Sequence, residues 1–234
     1  MESLWRVCQS IKQAADSIGV NIVTGDTKVV DRGKGDGIYI NTTGLGQKTG
    51  TMEPGPTRIN QADVVLVSGD IGRHGITVMA SREGLEFETD IVSDCGPVSP
   101  MVERLLEEGI ELHCLRDLTR GGLATAIYEI CGQAGATVVL DEKAIPIQPA
   151  VKGACEILGL DPLYVANEGC FAAFVAPDHA DRALEIIRAF ENGKAATAIG
   201  EVTSCEESSL LLKTSIGTHR LLTMLSGEQL PRIC

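Results

Sequence analysis

The chain has 234 residues, 44% hydrophobic and 22% charged, which is room for one large domain or two small ones with a core that needs no disulfide staples. Aromatics are only 3%, so that core is packed from Val, Ile, Leu and Ala, as in α/β and α+β enzymes. A formal net charge of −12 excludes nucleic acid and anionic membranes as partners, because phosphate binding needs a basic face.

No run approaches the roughly 20 apolar residues of a membrane span, and Met1-Glu2-Ser3-Leu4-Trp5-Arg6 lacks a signal-peptide pattern, so a cytoplasmic protein is expected. The eight cysteines are dispersed, with no C-x-x-C pair and no Cys/His cluster at zinc spacing, and read as reduced, mostly buried thiols.

Leu4, Cys8, Ile11, Ala15 and Ile18 recur at helical spacing and Gly19 stops the pattern, which predicts an amphipathic helix over 4–18. Residues 20–24 and 37–43 then read as strands, joined through loop-prone glycines and aspartates. Residues 44–60 are dense in Gly and Pro and mark a domain boundary, placed between residues 55 and 56.

Beyond the boundary, strands are expected over 62–68, 111–115, 138–140, 163–166, 170–176, 196–202, 209–213 and 219–222. Helices are expected over 69–79, 98–108, 123–133, 149–158 and 178–190. Helices interspersed with strands joined by short turns predict an α+β domain with a mixed sheet over 56–225. Ser226 and Gly227 loosen the backbone and Pro231 removes an amide donor, so 226–234 reads as a flexible tail ending on a thiol, Cys234.

Three constellations carry candidate chemistry. Thr24-Gly25-Asp26-Thr27-Lys28 presents a carboxylate, hydroxyls and an ammonium, a set that suits a metal-bound phosphate and equally a polar turn with a local ion pair. Arg116-Asp117-Leu118-Thr119-Arg120-Gly121-Gly122 precedes a helix, with Thr119 a natural N-cap and free amides that hold an anion, or a plain capped turn. Asn167-Glu168-Gly169 sits between two apolar runs, where a partly desolvated Glu168 is placed to move a proton or simply occupies a turn. His74, His113, His179 and His219 are far apart and read as surface or capping residues.

Taken together, these motifs resemble the HypE family of hydrogenase expression/formation proteins. The resemblance rests on Thr24-Gly25-Asp26-Thr27-Lys28-Val29-Val30, on Ile38-Tyr39-Ile40-Asn41-Thr42-Thr43-Gly44 and on Leu115 to Ala124. Asn167-Glu168-Gly169 and the terminal Pro231-Arg232-Ile233-Cys234 complete it. It covers essentially the whole chain, as the C-terminal two-thirds of such a protein without its N-terminal third. Residues 1–55 then stand for the remnant of an N-terminal α/β ATP-binding domain. The inner motifs are shared with aminoimidazole ribonucleotide synthetase, selenophosphate synthetase and thiamine-monophosphate kinase; the terminal one is specific.

The resemblance implies a maturation factor for nickel–iron hydrogenases. The carbamoyltransferase HypF would load Cys234, ATP with Mg²⁺ would drive dehydration of the carbamoyl group to a thiocyanate, and cyanide would pass to iron on the HypC–HypD complex. It further implies Lys28 as the group that stabilises negative charge, Glu168 as the base, Asp26 and Thr27 at ATP with Asp26 also at Mg²⁺, and a homodimer. The alternatives are an ATP-using synthetase or kinase of the same superfamily acting on a free small molecule, and a non-catalytic docking fragment.

Overall fold

The computed structural model describes residues 2–48, 52–83 and 91–224, so the C-terminal motif ending in Cys234 lies outside the described residues. The chain divides into two compact units, Met1–Met52 and Glu53–Cys234.

In the first unit, α1 (Glu2–Ser17) is the expected amphipathic helix, yet none of its residues is buried. The strands expected over 20–24 and 37–43 do not form. Their β-branched and aromatic residues favour extended backbone, but a strand exists only through a hydrogen-bonded ladder, and neither segment has a ladder partner among the described residues. Val23 and Tyr39 are accordingly 86% and 75% exposed.

Among the described residues the second unit is built on one seven-stranded sheet in the order β2-β4-β1-β5-β3-β6-β7. The strands are β1 (Val64–Val67), β2 (Leu112–Asp117), β3 (Thr137–Asp141), β4 (Phe171–Val175), β5 (Thr197–Ser204), β6 (Ser209–Lys213) and β7 (His219–Leu222). β3 and β6 run parallel and the remaining neighbours antiparallel, the mixed sheet that the short turns predicted. The helices are α2 (Arg73–Glu83), α3 (Ser99–Glu107), α4 (Gly122–Ala134), α5 (Pro149–Leu158) and α6 (Ala180–Arg188).

On one face of the sheet, Leu123, Ile127 and Ile130 of α4 pack on Val65, Val67, Phe174, Val138, Ile199 and Leu210. Successive strand residues point to opposite faces, so Leu66 looks the other way. There α6 lies against β1 and β5, with α3 against α6. A smaller cluster of Ile76, Val151, Ala154, Cys155 and Val165 ties α2 to α5 and fixes where α2 begins.

The strand expected over 163–166 is instead a 3₁₀ turn, Pro162–Tyr164, followed by extended chain. Asp161 Oδ1 accepts from the Leu163 amide at 3.0 Å and Pro162 has no amide to give a ladder, so cap chemistry overrides the apolar run. Leu163, Val165 and Ala166 are still buried, among helices rather than in the sheet.

His113 departs from the expected surface or capping role. Its ring is buried on β2, with Nδ1 2.8 Å from Asp63 Oδ2 and Nε2 3.1 Å from Glu111 Oε1. Asp63 Oδ2 also accepts the Asn60 amide at 2.8 Å. Burial pushes the imidazole down, but the hydrogen bonds and charges of Asp63 and Glu111 outweigh it and hold His113 above the ordinary histidine value. A raised folded-state pKa means that this contribution to stability is complete below the unfolded value of about 6.5 and is lost as pH rises through the folded one.

Urea unfolding of the wild type and His113→Gln should therefore differ most near pH 5.5, by about 2 kcal/mol. The gap should narrow by pH 8. A gap that widens with pH would show that His113 is held neutral.

Candidate active site

β1 ends at Val67, and Ser68 to Gly72 turn the chain into α2. Gly72 has φ +89, and a Cβ there would lie 2.9 Å from Val151 Cγ1, so the turn needs a glycine on both counts. Its amide donates to Asn167 Oδ1 at 2.7 Å. The Asn167 side chain is wholly buried and uses its remaining capacity by donating from Nδ2 to the carbonyls of Leu118 at 3.0 Å and Val165 at 3.1 Å. Asn167 is a three-way fastener between α2, the segment after β2 and its own strand approach, more than the turn residue its type suggested.

Glu168 and Gly169 are held from the other side by Asp94, itself buried. Asp94 Oδ2 accepts the Glu168 amide at 3.0 Å and the Gly169 amide at 2.9 Å, while Oδ1 accepts the His74 amide at 3.1 Å in the first turn of α2. The backbones touch so closely that a Cβ on Gly169 would sit 1.9 Å from the Asp94 carbonyl oxygen. Within this fixed loop the Glu168 side chain keeps Oε1 buried and without a hydrogen-bond partner. A buried carboxylate oxygen left open is costly to stability, and a role in chemistry is one reason for a fold to keep it.

The same corner holds Asp70 and Arg73. Asp70 Oδ2 and Arg73 Nε stand 2.8 Å apart as a largely buried ion pair. Arg73 Nη1 donates to the Val92 carbonyl at 3.2 Å, and His74 Nδ1 is 2.9 Å from Ser93 Oγ. Sequence reasoning passed over Asp94 because Ser93-Asp94-Cys95-Gly96-Pro97 reads as plain loop. Its partners lie 20, 74 and 75 positions away, beyond any local pattern.

The Arg116 to Gly122 segment joins the end of β2 to the start of α4. Thr119 does not cap α4; its Oγ1 donates to Asp117 Oδ2 at 2.6 Å, and the N-cap position is Gly121 at φ 77, without a side-chain cap. Arg116 donates to Asp117 Oδ1 at 2.6 Å and to Glu129 Oε2 at 3.2 Å. Partial burial pushes the Asp117 carboxyl up, but the hydrogen bond from Thr119 and the Arg116 charge more than offset it and hold it below the usual carboxylate range. Arg116 and Asp117 thus neutralise one another.

Asp26, Thr27 and Lys28 are contiguous and exposed in the first unit, where the Thr27 amide donates to Asp26 Oδ1 at 2.8 Å. Glu168 belongs to the second unit. Among the described residues no group of three or more His, Cys, Asp and Glu is placed to hold a metal ion. No helix of the described residues is long and apolar enough to cross a membrane.

The seven described cysteines are free thiols. Burial pushes Cys114, Cys131 and Cys155 up to about 11 and Cys170 up to about 12. Cys8, Cys95 and Cys205 are exposed.

Residues 61–213 match the AIR synthase related protein C-terminal domain. Over all 234 residues the chain is 45% identical to the carbamoyl dehydratase HypE of Azotobacter vinelandii, covering 69% of that protein. The chain belongs to the HypE family. A crystal structure of the hydrogenase maturation protein HypE in complex with ATP superposes with a TM-score of 0.89 at 39% identity, over 100% of this chain and 71% of that one. HypE from a crystal structure of a HypE–HypF complex gives a TM-score of 0.86 at 37% identity, over 96% of this chain and 73% of that one. This HypE-family chain therefore spans about two thirds of the length of its relatives.

Proposed function

We propose that this chain carries out the ATP-dependent dehydration of a carbamoyl group borne on its own C-terminal Cys234. The observation that carries the reading is the buried, unpartnered Glu168 Oε1 in a loop clasped by Asp94 and Asn167, in a chain that ends on Pro231-Arg232-Ile233-Cys234. Family membership and the HypE structures with ATP and with HypF support it.

The chemistry requires what these residues offer. A thiocarbamate, S–C(=O)–NH₂, loses its oxygen only when phosphoryl transfer from ATP has made it a leaving group, and loses two N–H protons to reach S–C≡N. The products are the thiocyanate, ADP and inorganic phosphate. Glu168 is the base for the N–H protons, and the Lys28 ammonium stabilises charge on the activated oxygen or phosphate.

Few protein carboxylates and several phosphate oxygens hold Mg²⁺ in such sites, so the exposed Asp26 would serve as a partial ligand, with Thr27 beside it at the nucleotide's phosphates. Proteins of the HypF type load the carbamoyl group and a HypC–HypD complex receives the cyanide. The protein works in the cytoplasm, as a homodimer.

Incubation with the carbamoyltransferase, carbamoyl phosphate and Mg-ATP, followed by mass analysis of the C-terminal peptide, tests the reading. A carbamoyl and then a cyano adduct on Cys234 is expected, and neither in Cys234→Ser. The reading fails if Cys234 gains no adduct even when the N-terminal segment that the longer relatives carry is supplied in trans. Full turnover of a free small molecule by Cys234→Ser would place the chain among the synthetases or kinases instead.

A further inference from the structure

We infer that Asp94 is a positioning residue for the dehydration step: its carboxylate sets where the Glu168 side chain stands. The inference rests on the reading of Glu168 as the base. Its hydrogen bonds run to backbone amides, so it acts through the backbone.

The geometry is specific. One oxygen, Oδ2, takes both the Glu168 and the Gly169 amides at 3.0 and 2.9 Å, while Oδ1 takes the His74 amide at 3.1 Å. A buried carboxylate with three amide donors and no cation among these partners is a rigid bracket, because swinging it away would strand three buried N–H groups. It joins the loop that carries Glu168 to the start of α2, which the Ile76, Val151 and Val165 cluster fixes in turn.

On the opposite side Asn167 joins the same loop to Gly72 at 2.7 Å, so the Glu168 backbone has two anchors on one helix start. Gly169 completes the bracket, since any Cβ would overlap the Asp94 carbonyl and lift the loop off. The side chain of Glu168 makes no hydrogen bond through Oε1, so its direction is inherited from this backbone rather than from a partner of its own.

A general base must stand within hydrogen-bond reach of its proton, and small misplacements of reacting groups are expensive. Loss of the bracket should thus slow dehydration while sparing steps that do not use Glu168.

The test follows Asp94→Asn and Asp94→Ala beside Glu168→Gln, with the N-terminal segment of a longer relative in trans where ATP binding requires it. Carbamoylation of Cys234 by the carbamoyltransferase, ATP affinity by calorimetry and the single-turnover rate of thiocyanate formation are read separately. Asp94→Ala should slow thiocyanate formation about a hundredfold with carbamoylation and ATP affinity kept within about twofold. Asp94→Asn, which retains one acceptor, should fall between it and the wild type.

Amide exchange in the unmodified chain gives a second measurement. Glu168 and Gly169 should be protected in the wild type and exchange at least about tenfold faster in Asp94→Asn, with β4 unchanged. A dehydration rate within about twofold of wild type in Asp94→Asn, with those two amides deprotected, overturns the inference while leaving Glu168 in place. Equal loss of carbamoylation, ATP binding and dehydration also overturns it, as the sign of a merely structural role. If Glu168→Gln itself dehydrates normally, the reading of the base fails instead, and the inference with it.

Discussion

Glu168→Gln should stop the reaction between its two adducts. The carbamoyl group should accumulate on Cys234 while thiocyanate formation falls by about 10² to 10⁴, the range over which a positioned acid or base contributes. Gln keeps the length and shape of the side chain and disturbs neither the Asp94 nor the Asn167 contacts, which run through the backbone and through Asn167. The thermal midpoint should stay within a few degrees or rise, because the variant removes a charge from beside a buried oxygen that has no partner. Mass analysis of the C-terminal peptide over time separates the two adducts directly. Wild-type thiocyanate rates in Glu168→Gln would move the role of base to another residue.

The second large effect concerns folding. Gly122→Ala should destabilise the protein by about 2–5 kcal/mol, the sum of a left-handed backbone forced on a residue with a Cβ and of overpacking. Gly122 has φ +62, and its Cβ would lie 2.7 Å from the Leu163 and Val165 carbonyl oxygens and 2.8 Å from the Tyr164 carbonyl carbon. All three are backbone atoms, which cannot swing aside as a side chain does. The thermal midpoint should fall by roughly 5–15 °C for a unit of this size. Gly132→Ala, in the same helix but with open space around its Cβ, should be neutral or raise it slightly. Equal midpoints for the two variants would show that the α4 start is more plastic than its contacts indicate.

These two cases also mark how far the sequence could be read. α4, α5 and α6 were legible because each buries a single stripe, and β4 because an unbroken apolar run bounded by turns suits a strand covered on both faces. Residues 20–24 and 37–43 show the limit: extended-chain propensity names a conformation, whereas a strand is a relation between two segments. Residues 163–166 show another, since the Asp161-Pro162 pair outweighed the hydrophobicity that follows it.

In the site, Glu168 stood out because a carboxylate between apolar runs is an odd turn residue. What holds it did not. Asp94 and Glu168 are 74 positions apart and Asp63 and His113 50, and no periodicity within a helix or strand reports such a pairing. Asn167 was misjudged for the opposite reason: its type suits a turn so well that its three buried hydrogen bonds left no trace in the pattern.

The four buried thiols bear on selectivity. With values of about 11 to 12, only about one in 10⁴ or fewer of Cys114, Cys131, Cys155 and Cys170 is a thiolate at pH 7, and the thiolate is the form that attacks an acyl or carbamoyl donor. Burial thereby silences half of the eight thiols. Competition for an electrophile is left to thiols at the surface, so a donor that is to carbamoylate Cys234 needs to discriminate against three exposed rivals, Cys8, Cys95 and Cys205, rather than seven.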